Sequence, residues 1–359
     1  MENQEKKEDI SNQPPNPIPS KEKKEGEPFF GFATIWNAVE EIQRMETKPR
    51  DHINASDIGG SFLDRWFKMK GTQPSNPYDA RTLRVFAAGE IFEKLVVEVL
   101  AKAGILIDVQ GWVEIPATST NLLIKGKYDA KIGNVKDWNE VKELYKKRVE
   151  IEQEIYERVR NEMITKYQIE ALPFLYFYSE FTDFLKYQGK KILDGLAKKF
   201  PTGLPFPIIV EVKSVNSNAF WSKKDYIGVG YPHHRLQLFT YLKGTGIEKG
   251  VLLYISKDDM TLEECIVFQG MKAIEDEWKN DIDKMSYHWL NQVKPEPEPD
   301  IIFNEEKGKA GLWEVNWKPA RSPYLTLITG LKPDEWQKMA KELSKVKNKE
   351  LVKNRRIKK

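Results

Sequence analysis

Pro207-Ile-Ile-Val-Glu-Val-Lys-Ser-Val215 is the stretch of sequence that decides the fold. Its β-branched residues predict a buried strand. Glu211 and Lys213 interrupt the apolar run at a spacing of two, which places both side chains on one face of a strand. A carboxylate and an ammonium group inside a buried strand are unfavourable unless they have partners or a function. One such function is a divalent-metal site, where the carboxylate binds the ion and the lysine contacts a phosphate or a water.

The composition is that of a globular protein. The chain has 359 residues, of which 31% are charged and 11% aromatic, with a net charge of +3. This length suits one large α/β domain with helical insertions as well as two domains. The single cysteine, Cys265, excludes a disulfide framework, a thiolate zinc site and a cysteine-ligated iron–sulfur cluster within one chain. No apolar run of about 18 residues occurs, so we expect no membrane span. The N-terminal residues lack the apolar core of a signal peptide, so we expect no secretion. The expected location is therefore the cytoplasm of a bacterial or phage-infected cell.

Composition and periodicity divide the chain into a core and several additions. Residues 1–28 are polar and proline-rich, and they are predicted to be a disordered tail. The core is predicted at 29–135 and 201–292, interrupted by a helical insertion at 136–200. Residues 293–330 are interpreted as a proline-rich spacer with a small C-terminal segment. Residues 331–359 form a predicted basic helical tail.

That basic tail carries 11 Lys and Arg against 4 Asp and Glu. Such an excess suits an anionic partner, most simply nucleic acid. A solvated helix end is the simpler alternative. The insertion at 136–200 is a second candidate contact surface, for a protein partner or for self-association.

Within the core, apolar periodicity alternates between the helix and strand repeats. Helices are predicted at 61–69, 80–103, 232–242 and 271–292, and strands at 105–115, 122–132, 207–215, 250–256 and 263–269, with a loop at 216–231. This pattern predicts an α/β fold with a mixed central β-sheet flanked by helices.

Two further carboxylates are candidates to join Glu211 at a metal site. Asp129 lies near the end of a predicted strand, and on a strand beside Glu211 it could share one ion; a turn or strand-end Asp is the alternative. Glu93 borders the apolar face of the long helix, where an ordinary boundary Glu is the alternative. Oxygen ligands without a Cys or His cluster favour Mg²⁺ or Mn²⁺ over zinc.

A polar helix face follows the Glu211 strand. Gln237 and Tyr241 are four residues apart and share this face, which could line a site or have no role. Arg235 could contact a phosphate. His233 and His234 are adjacent on the helix and point about 100° apart, so we do not expect joint metal ligation.

The order of these motifs resembles the PD-(D/E)XK nuclease superfamily, in particular its RecB-like branch and the phage lambda-type exonucleases. The matching order is Gly-x-x-x-Glu on a helix, Gly-x-x-Asp-Ala in a strand, apolar-Glu-x-Lys-Ser in the next strand, and Gln-x-x-x-Tyr on a helix. The resemblance covers roughly residues 54–133 and 207–268. It implies a restriction-endonuclease-like core.

The resemblance also implies a role for each matching residue. Glu93, Asp129 and Glu211, with the backbone carbonyl of Val212, would bind Mg²⁺ or Mn²⁺. Lys213 would activate or position the attacking water. The remaining pair, Gln237 and Tyr241, would line the site and orient the lysine or the DNA.

The implied activity is metal-dependent hydrolysis of DNA phosphodiester bonds. We expect an exonuclease acting in recombination, repair or phage DNA processing, although the sequence alone also permits an endonuclease. Basic residues near the entrance would contact DNA phosphates: Arg81, Arg84, Lys125, Lys127 and Arg235.

The chain departs from the family pattern in two ways. First, 82 positions separate Asp129 from Glu211, so the insertion could clamp DNA or bind a partner, or Asp137 could be the true match. Second, the iron–sulfur cysteines of many RecB-like members are absent, and packing around Trp313 and Trp317 could replace the cluster. Two alternatives stay open. One is a non-catalytic nucleic-acid-binding or assembly protein on a degenerate nuclease core, and the other is a purely structural Glu211–Lys213 ion pair.

Overall fold

A six-stranded mixed β-sheet with helices on both faces forms the centre of the protein. The computed structural model describes residues 47–133, 191–201, 203, 207–222, 224–305 and 311–357, with scattered positions from 139 to 161; the side chains of 222–226 and 352–357 are not among them. All of these residues belong to the unit Met45–Lys359. The α/β class and the mixed, helix-flanked sheet predicted from the sequence are confirmed.

The sheet combines parallel and antiparallel pairs. Its strands are β1 His52–Asn54, β2 Leu106–Ile115, β3 Leu123–Ile132, β4 Ile208–Val215, β5 Lys249–Ser256 and β6 Leu262–Phe268. The order is β1-β3-β4-β5-β6, with β2 on the other edge of β3. The β1–β3 and β4–β5 pairs are parallel, and the others are antiparallel.

The sheet opens at a fork between β1 and β4. Both strands pair with the same edge of β3, because β2 occupies its opposite edge. β1 pairs at 123–125 and β4 at 130–132, so residues 126–129 have no strand partner there among the described residues. On β4 the pairing covers only 208–210 and ends immediately before Glu211.

Helices cover the two faces of this sheet. They are α1 Phe62–Lys70, α2 Ala80–Lys102, α3 Ser217–Ser222, α4 Lys224–Val229, α5 Pro232–Thr245 and α6 Lys272–Leu290. α2 packs on one face through Val96, against Val210 and Val212 of β4. α5 packs on the other face and is buried from Leu236 to Leu242, since α6 covers its outer side.

The C-terminal segment returns to the start of the core. It contains the antiparallel pair β7 Ile301–Asn304 and β8 Leu312–Val315, then α7 Trp317–Ala320, α8 Leu325–Thr329 and α9 Pro333–Ile357. The Glu298 carboxylate accepts hydrogen bonds from Ser61 Oγ (2.7 Å) and Phe62 N (2.8 Å) at the beginning of α1. Ser322 Oγ donates to Asp64 at 2.6 Å. The C-terminal segment therefore caps the N-terminus of α1, although it is distant from that helix in sequence.

Most predicted elements are confirmed, with shifts of a residue or a few at their ends. The predicted loop at 216–231 is wrong, because α3 and α4 occupy it. Asn216 accepts a hydrogen bond from the Ala219 amide and starts α3, and both Phe220 and Ile227 are buried.

The predicted domain boundaries stay predictions. The tail at 1–28 lies outside the described residues, and within the 136–200 insertion the described positions are helical at 191–199 and in parts of 139–161. In the described part of the chain, no helix combines the length and the apolar character needed to cross a membrane.

Candidate active site

The strand fork brings Asp129 to β4 directly beside Glu211. As β4 diverges from β3, the amide of Val212 loses a backbone partner on that side and donates instead to Asp129 Oδ2 at 2.7 Å. This bond connects the two predicted ligand strands across the long sequence separation. Asp137, the alternative to Asp129, lies outside the described residues.

Glu211 is held from two elements at once. Its side chain is 2% exposed, and its Oε1 accepts from Lys213 Nζ at 2.7 Å and from Gln237 Nε2 at 2.8 Å. Gln237 Nε2 also donates to the Tyr241 hydroxyl at 2.9 Å, using its second hydrogen. The structure thus brings together five predicted site residues: Asp129, Glu211, Lys213, Gln237 and Tyr241.

Gly126, three residues before Asp129, makes room for this arrangement. A Cβ at this position would lie 2.8 Å from Tyr241 Cε1 and 2.7 Å from the Ala55 Cβ, both closer than real side chains approach. The glycine of the Gly-x-x-Asp pattern therefore allows α5 to set the Tyr241 ring against β3. Tyr128 packs edge-on against the same ring.

Glu93 lies at the side of this cluster and has a partner that sequence reasoning missed. Gln110 Nε2 of β2 donates to Glu93 Oε1. Gln110 has a φ of 52°, in the left-handed region that non-glycine residues rarely adopt. No motif in the sequence marks this position, because neither its residue type nor the strand pattern predicts that conformation.

Burial and neighbouring carboxylates raise the pKa values of Asp129 and Glu211. Burial raises the pKa of Asp129 to about 8, with a further contribution from Glu211, against the opposing effects of Lys213 and the Val212 amide. Burial likewise raises the pKa of Glu211, opposed by Lys213, and Glu93 raises both. A nearby cation would therefore stabilise the ionised cluster.

Lys213 responds in the opposite sense to its surroundings. Burial by itself would lower the pKa of this ammonium group, but Glu211 and Asp129 together outweigh burial and raise it. Lys213 is therefore a charged hydrogen-bond donor at neutral pH and has no lone pair with which to accept a proton.

Two of the predicted metal ligands, the carboxylates of Glu211 and Asp129, are placed as a hard divalent ion would require. Glu211 Oε2 is buried and has no hydrogen-bond partner among the described residues, which is costly in a protein interior. Asp129 supplies a second carboxylate beside it. However, no group of three or more His, Cys, Asp or Glu side chains within the described ranges could hold a metal ion as arranged here. The part of the chain that the structure describes thus places no third ligand beside these two, and the Glu93 carboxylate accepts a hydrogen bond from Gln110.

The predicted DNA-contacting residues lie in different surroundings. Lys127 lies 4.3 Å above the ring of Trp112, which is 72% exposed, and Lys125 lies 3.8 Å from Glu114. Arg235 packs beside Gly230, and its Nε is buried without a hydrogen-bond partner among the described residues. The other two, Arg81 and Arg84, are in the first turns of α2.

The adjacent histidines of α5 serve different neighbours. His234 Nδ1 lies 2.9 Å from the Tyr254 hydroxyl. His233 packs against Trp317 of the C-terminal segment, with ring centroids 5.0 Å apart. Burial is the main cause that lowers the pKa of both rings, that of His233 to about 4, and the Lys213 charge contributes. Both imidazoles are therefore neutral at pH 7.

Comparison with known proteins gives little beyond distant likeness. No family model matches the chain, and no curated protein matches it in sequence. The crystal structure of SSO0001 aligns with 85% of this chain and 98% of its own, at 14% identity and a TM-score of 0.41. An alkaline exonuclease (LHK-Exo) from Laribacter hongkongensis aligns with 72% of this chain and 96% of its own, at 12% identity and a TM-score of 0.33. At these TM-scores, neither likeness decides the fold or the function.

Proposed function

We propose that this protein is a metal-dependent deoxyribonuclease with a restriction-endonuclease-like core of the PD-(D/E)XK type. The observation that carries the proposal is the meeting of Asp129 and Glu211 at the strand fork, with the Lys213 ammonium bonded to Glu211. Two buried carboxylates, of which Glu211 raises the pKa of Asp129, suit a divalent cation, as does the buried Glu211 Oε2, which has no hydrogen-bond partner among the described residues. A purely structural ion pair would leave neither the second carboxylate nor that oxygen explained.

The cation we propose is Mg²⁺ or Mn²⁺. Asp129 and Glu211 would be its ligands, and Glu93 and the Val212 carbonyl are the candidates to complete the set. When bound, such an ion would neutralise charge on the phosphoryl oxygens and lower the pKa of a coordinated water. Oxygen-only ligation favours these ions over zinc.

The protein's own groups would position the reactants. Lys213, as an ammonium, would donate to the attacking water or to a phosphoryl oxygen, and it would favour the hydroxide form of that water through its charge. Gln237 would hold Glu211 in its orientation, and Tyr241 would fix Gln237 in turn. Burial raises the pKa of Tyr241 well above its ordinary value, so the hydroxyl stays a neutral donor.

The test is DNA cleavage by matched variants. Glu211→Gln and Lys213→Ala should each lower Mg²⁺-dependent cleavage of end-labelled linear DNA by at least about a hundredfold, as expected when an electrostatic group is removed from a site. The control is Glu275→Gln, because Glu275 also accepts from a lysine at 2.7 Å but on the surface. Parental activity in both site variants would refute the proposal. Degradation of linear DNA with sparing of a covalently closed circle would assign an exonuclease.

A non-catalytic DNA-binding protein is the second candidate. The observation that favours it is the lack of a complete three-ligand group among the described residues. Such a protein would bind DNA equally well in EDTA and in Mg²⁺. Calorimetric titration separates the two, because only the nuclease should bind Mg²⁺ with an affinity that Asp129→Asn removes.

A further inference from the structure

A cavity of about 140 Å³ lies where the C-terminal segment meets the beginning of the core. Its wall includes Gly60 and Arg65 of the core, His233 of α5, and Trp317, Lys318 and Arg321 from α7 and its end. One buried water needs only about 10–15 Å³ of such volume. The cavity therefore has room for a group much larger than one water.

α5 connects this cavity to the candidate active site. His233 in the cavity wall precedes Gln237 by one helical turn, about 5–6 Å. Gln237 in turn donates to Glu211. A ligand in the cavity would thus contact α5 one helical turn before the residue that holds Glu211.

Flat rings line one side of the cavity. Trp317 is 38% exposed, and its ring is inclined by 34° to the ring of His233. The Arg321 guanidinium lies 6.0 Å from the Trp317 ring centroid. An exposed indole with a neutral imidazole and a guanidinium beside it is the kind of surface on which nucleobases stack.

The cavity also has an excess of available positive charge. Arg65 is already paired with Asp281, and Lys68 with Asp57. Lys318 donates to the Gly60 carbonyl, and within the described residues neither Lys318 nor Arg321 has a carboxylate within ion-pair distance.

Two carboxylates line the cavity: Asp57, which is paired with Lys68, and Asp64, which opposes this excess. Burial raises the pKa of Asp64 to about 6, and Ser322 donates to it. Asp64 has no lysine or arginine within ion-pair distance among the described residues, and Lys318 and Arg321 outnumber it, so the balance favours a phosphate.

We propose that this cavity binds one unpaired nucleotide at a DNA strand end, with its base on Trp317 and its phosphate at Lys318 and Arg321. The inference rests on the proposed nuclease function and adds a substrate class, a strand with at least one unpaired terminal nucleotide. A base inside a duplex is stacked between its neighbours and cannot reach the indole ring unless the duplex opens. The cavity would thereby select ends that are single-stranded or frayed.

The experiment is a double-mutant cycle that compares protein variants on normal and abasic DNA ends. It is carried out in EDTA, so that the DNA is not cleaved during the measurement. Fluorescence anisotropy would give the Kd of a labelled duplex with a short single-stranded extension, made with either a normal or an abasic terminal nucleotide, in both polarities. The wild-type protein should prefer the normal end of one polarity by about tenfold, as expected for one stacked base. Trp317→Ala should abolish this preference, and Trp317→Phe should keep most of it. The control is Tyr287→Ala, an exposed aromatic that does not line the cavity.

Each outcome supports or overturns the inference. If the wild-type protein binds or cleaves DNA but does not distinguish the normal from the abasic end, the cavity does not bind a base. An undiminished preference in Trp317→Ala has the same meaning. Failure of the proposed function is recognised separately, because DNA cleavage would then be absent from the wild-type protein with Mg²⁺ and Mn²⁺. Melting curves for both Trp317 variants would show that each is folded.

Discussion

Replacing Asp129 by asparagine should stabilise the metal-free protein. Asparagine has the shape of a protonated aspartate and keeps an oxygen that can accept from the Val212 amide. The carboxylate of Asp129 is buried beside Glu211, and burial followed by that neighbour raises its pKa from 3.8 to about 8. The wild-type protein must therefore keep a proton at pH 7 that its unfolded chain releases.

The size of the effect follows from proton linkage. Between the two pKa values the folded state binds more protons than the unfolded state, so the stability contributed by Asp129 falls as pH rises. It is complete below about pH 4 and is lost by about pH 8. Each unit is worth 1.36 kcal/mol, so at pH 7 the wild-type protein loses up to about 4 kcal/mol relative to acid conditions. The Asp129→Asn variant has no such loss of stability. Because the protein relaxes in part around the carboxylate, we expect the variant to be more stable than the wild type by about 2–4 kcal/mol at pH 7.

Urea unfolding from pH 5 to pH 8 in EDTA measures this gain. The difference in stability between variant and wild type should widen steadily with pH, because the aspartate at position 129 can lose a proton and the asparagine cannot. In the presence of Mg²⁺ the difference in stability between the two proteins should be smaller, because an ion that binds only the folded wild-type protein stabilises that protein by mass action. Catalytic activity should be lost in the same variant.

Two outcomes would refute this reasoning. If Asp129→Asn is less stable than the wild type at every pH in EDTA, Asp129 is held mainly by favourable bonds. If the difference does not change with pH, the carboxylate is already ionised throughout this range and the repulsion from Glu211 is weak.

Three further substitutions test the packing and the contacts that support the site. Gly126→Ala should lower the free energy of unfolding by about 1–3 kcal/mol and reduce cleavage, because the new Cβ would collide with Tyr241; urea titration and activity together check this. Arg65→Ala should lower it by about 3–5 kcal/mol, because it leaves the buried Asp281 carboxylate without its partner, and a thermal melt that stays at the wild-type Tm would contradict this. Glu298→Ala should loosen the C-terminal segment from α1, so that limited proteolysis cuts within 293–330 faster than in the parent while residues 207–268 stay protected.

The sequence predicts well what depends on periodicity. The apolar run around Glu211 identified β4, and the 80–103 pattern identified α2 almost to its ends. The order of motifs also indicated that Asp129 and Glu211 belong to one site. These features follow from local pattern, because a buried element must carry its apolar residues at its own repeat.

What could not be predicted depends on contacts distant in sequence. The strand β1 has three residues and exists only because β3 lies beside it. The left-handed backbone of Gln110 and its bond to Glu93 arise from the meeting of β2 and α2. The cap that Glu298 provides for α1 spans 236 residues, and a Glu between prolines shows no sign of it in the sequence.

The bond between Asp129 and Val212 closes a loop of 83 residues, which contains the whole predicted insertion. The entropy of closing such a loop grows only with the logarithm of its length, so halving or doubling it changes stability by about 0.6 kcal/mol. The hydrogen bond that the Val212 amide donates to Asp129 contributes about 0.5–1.5 kcal/mol, which is comparable with that amount or larger. The segment between the two strands of the fork can therefore vary in length at little cost in stability. Evolution or an engineer could replace it by another module without loosening Asp129 and Glu211.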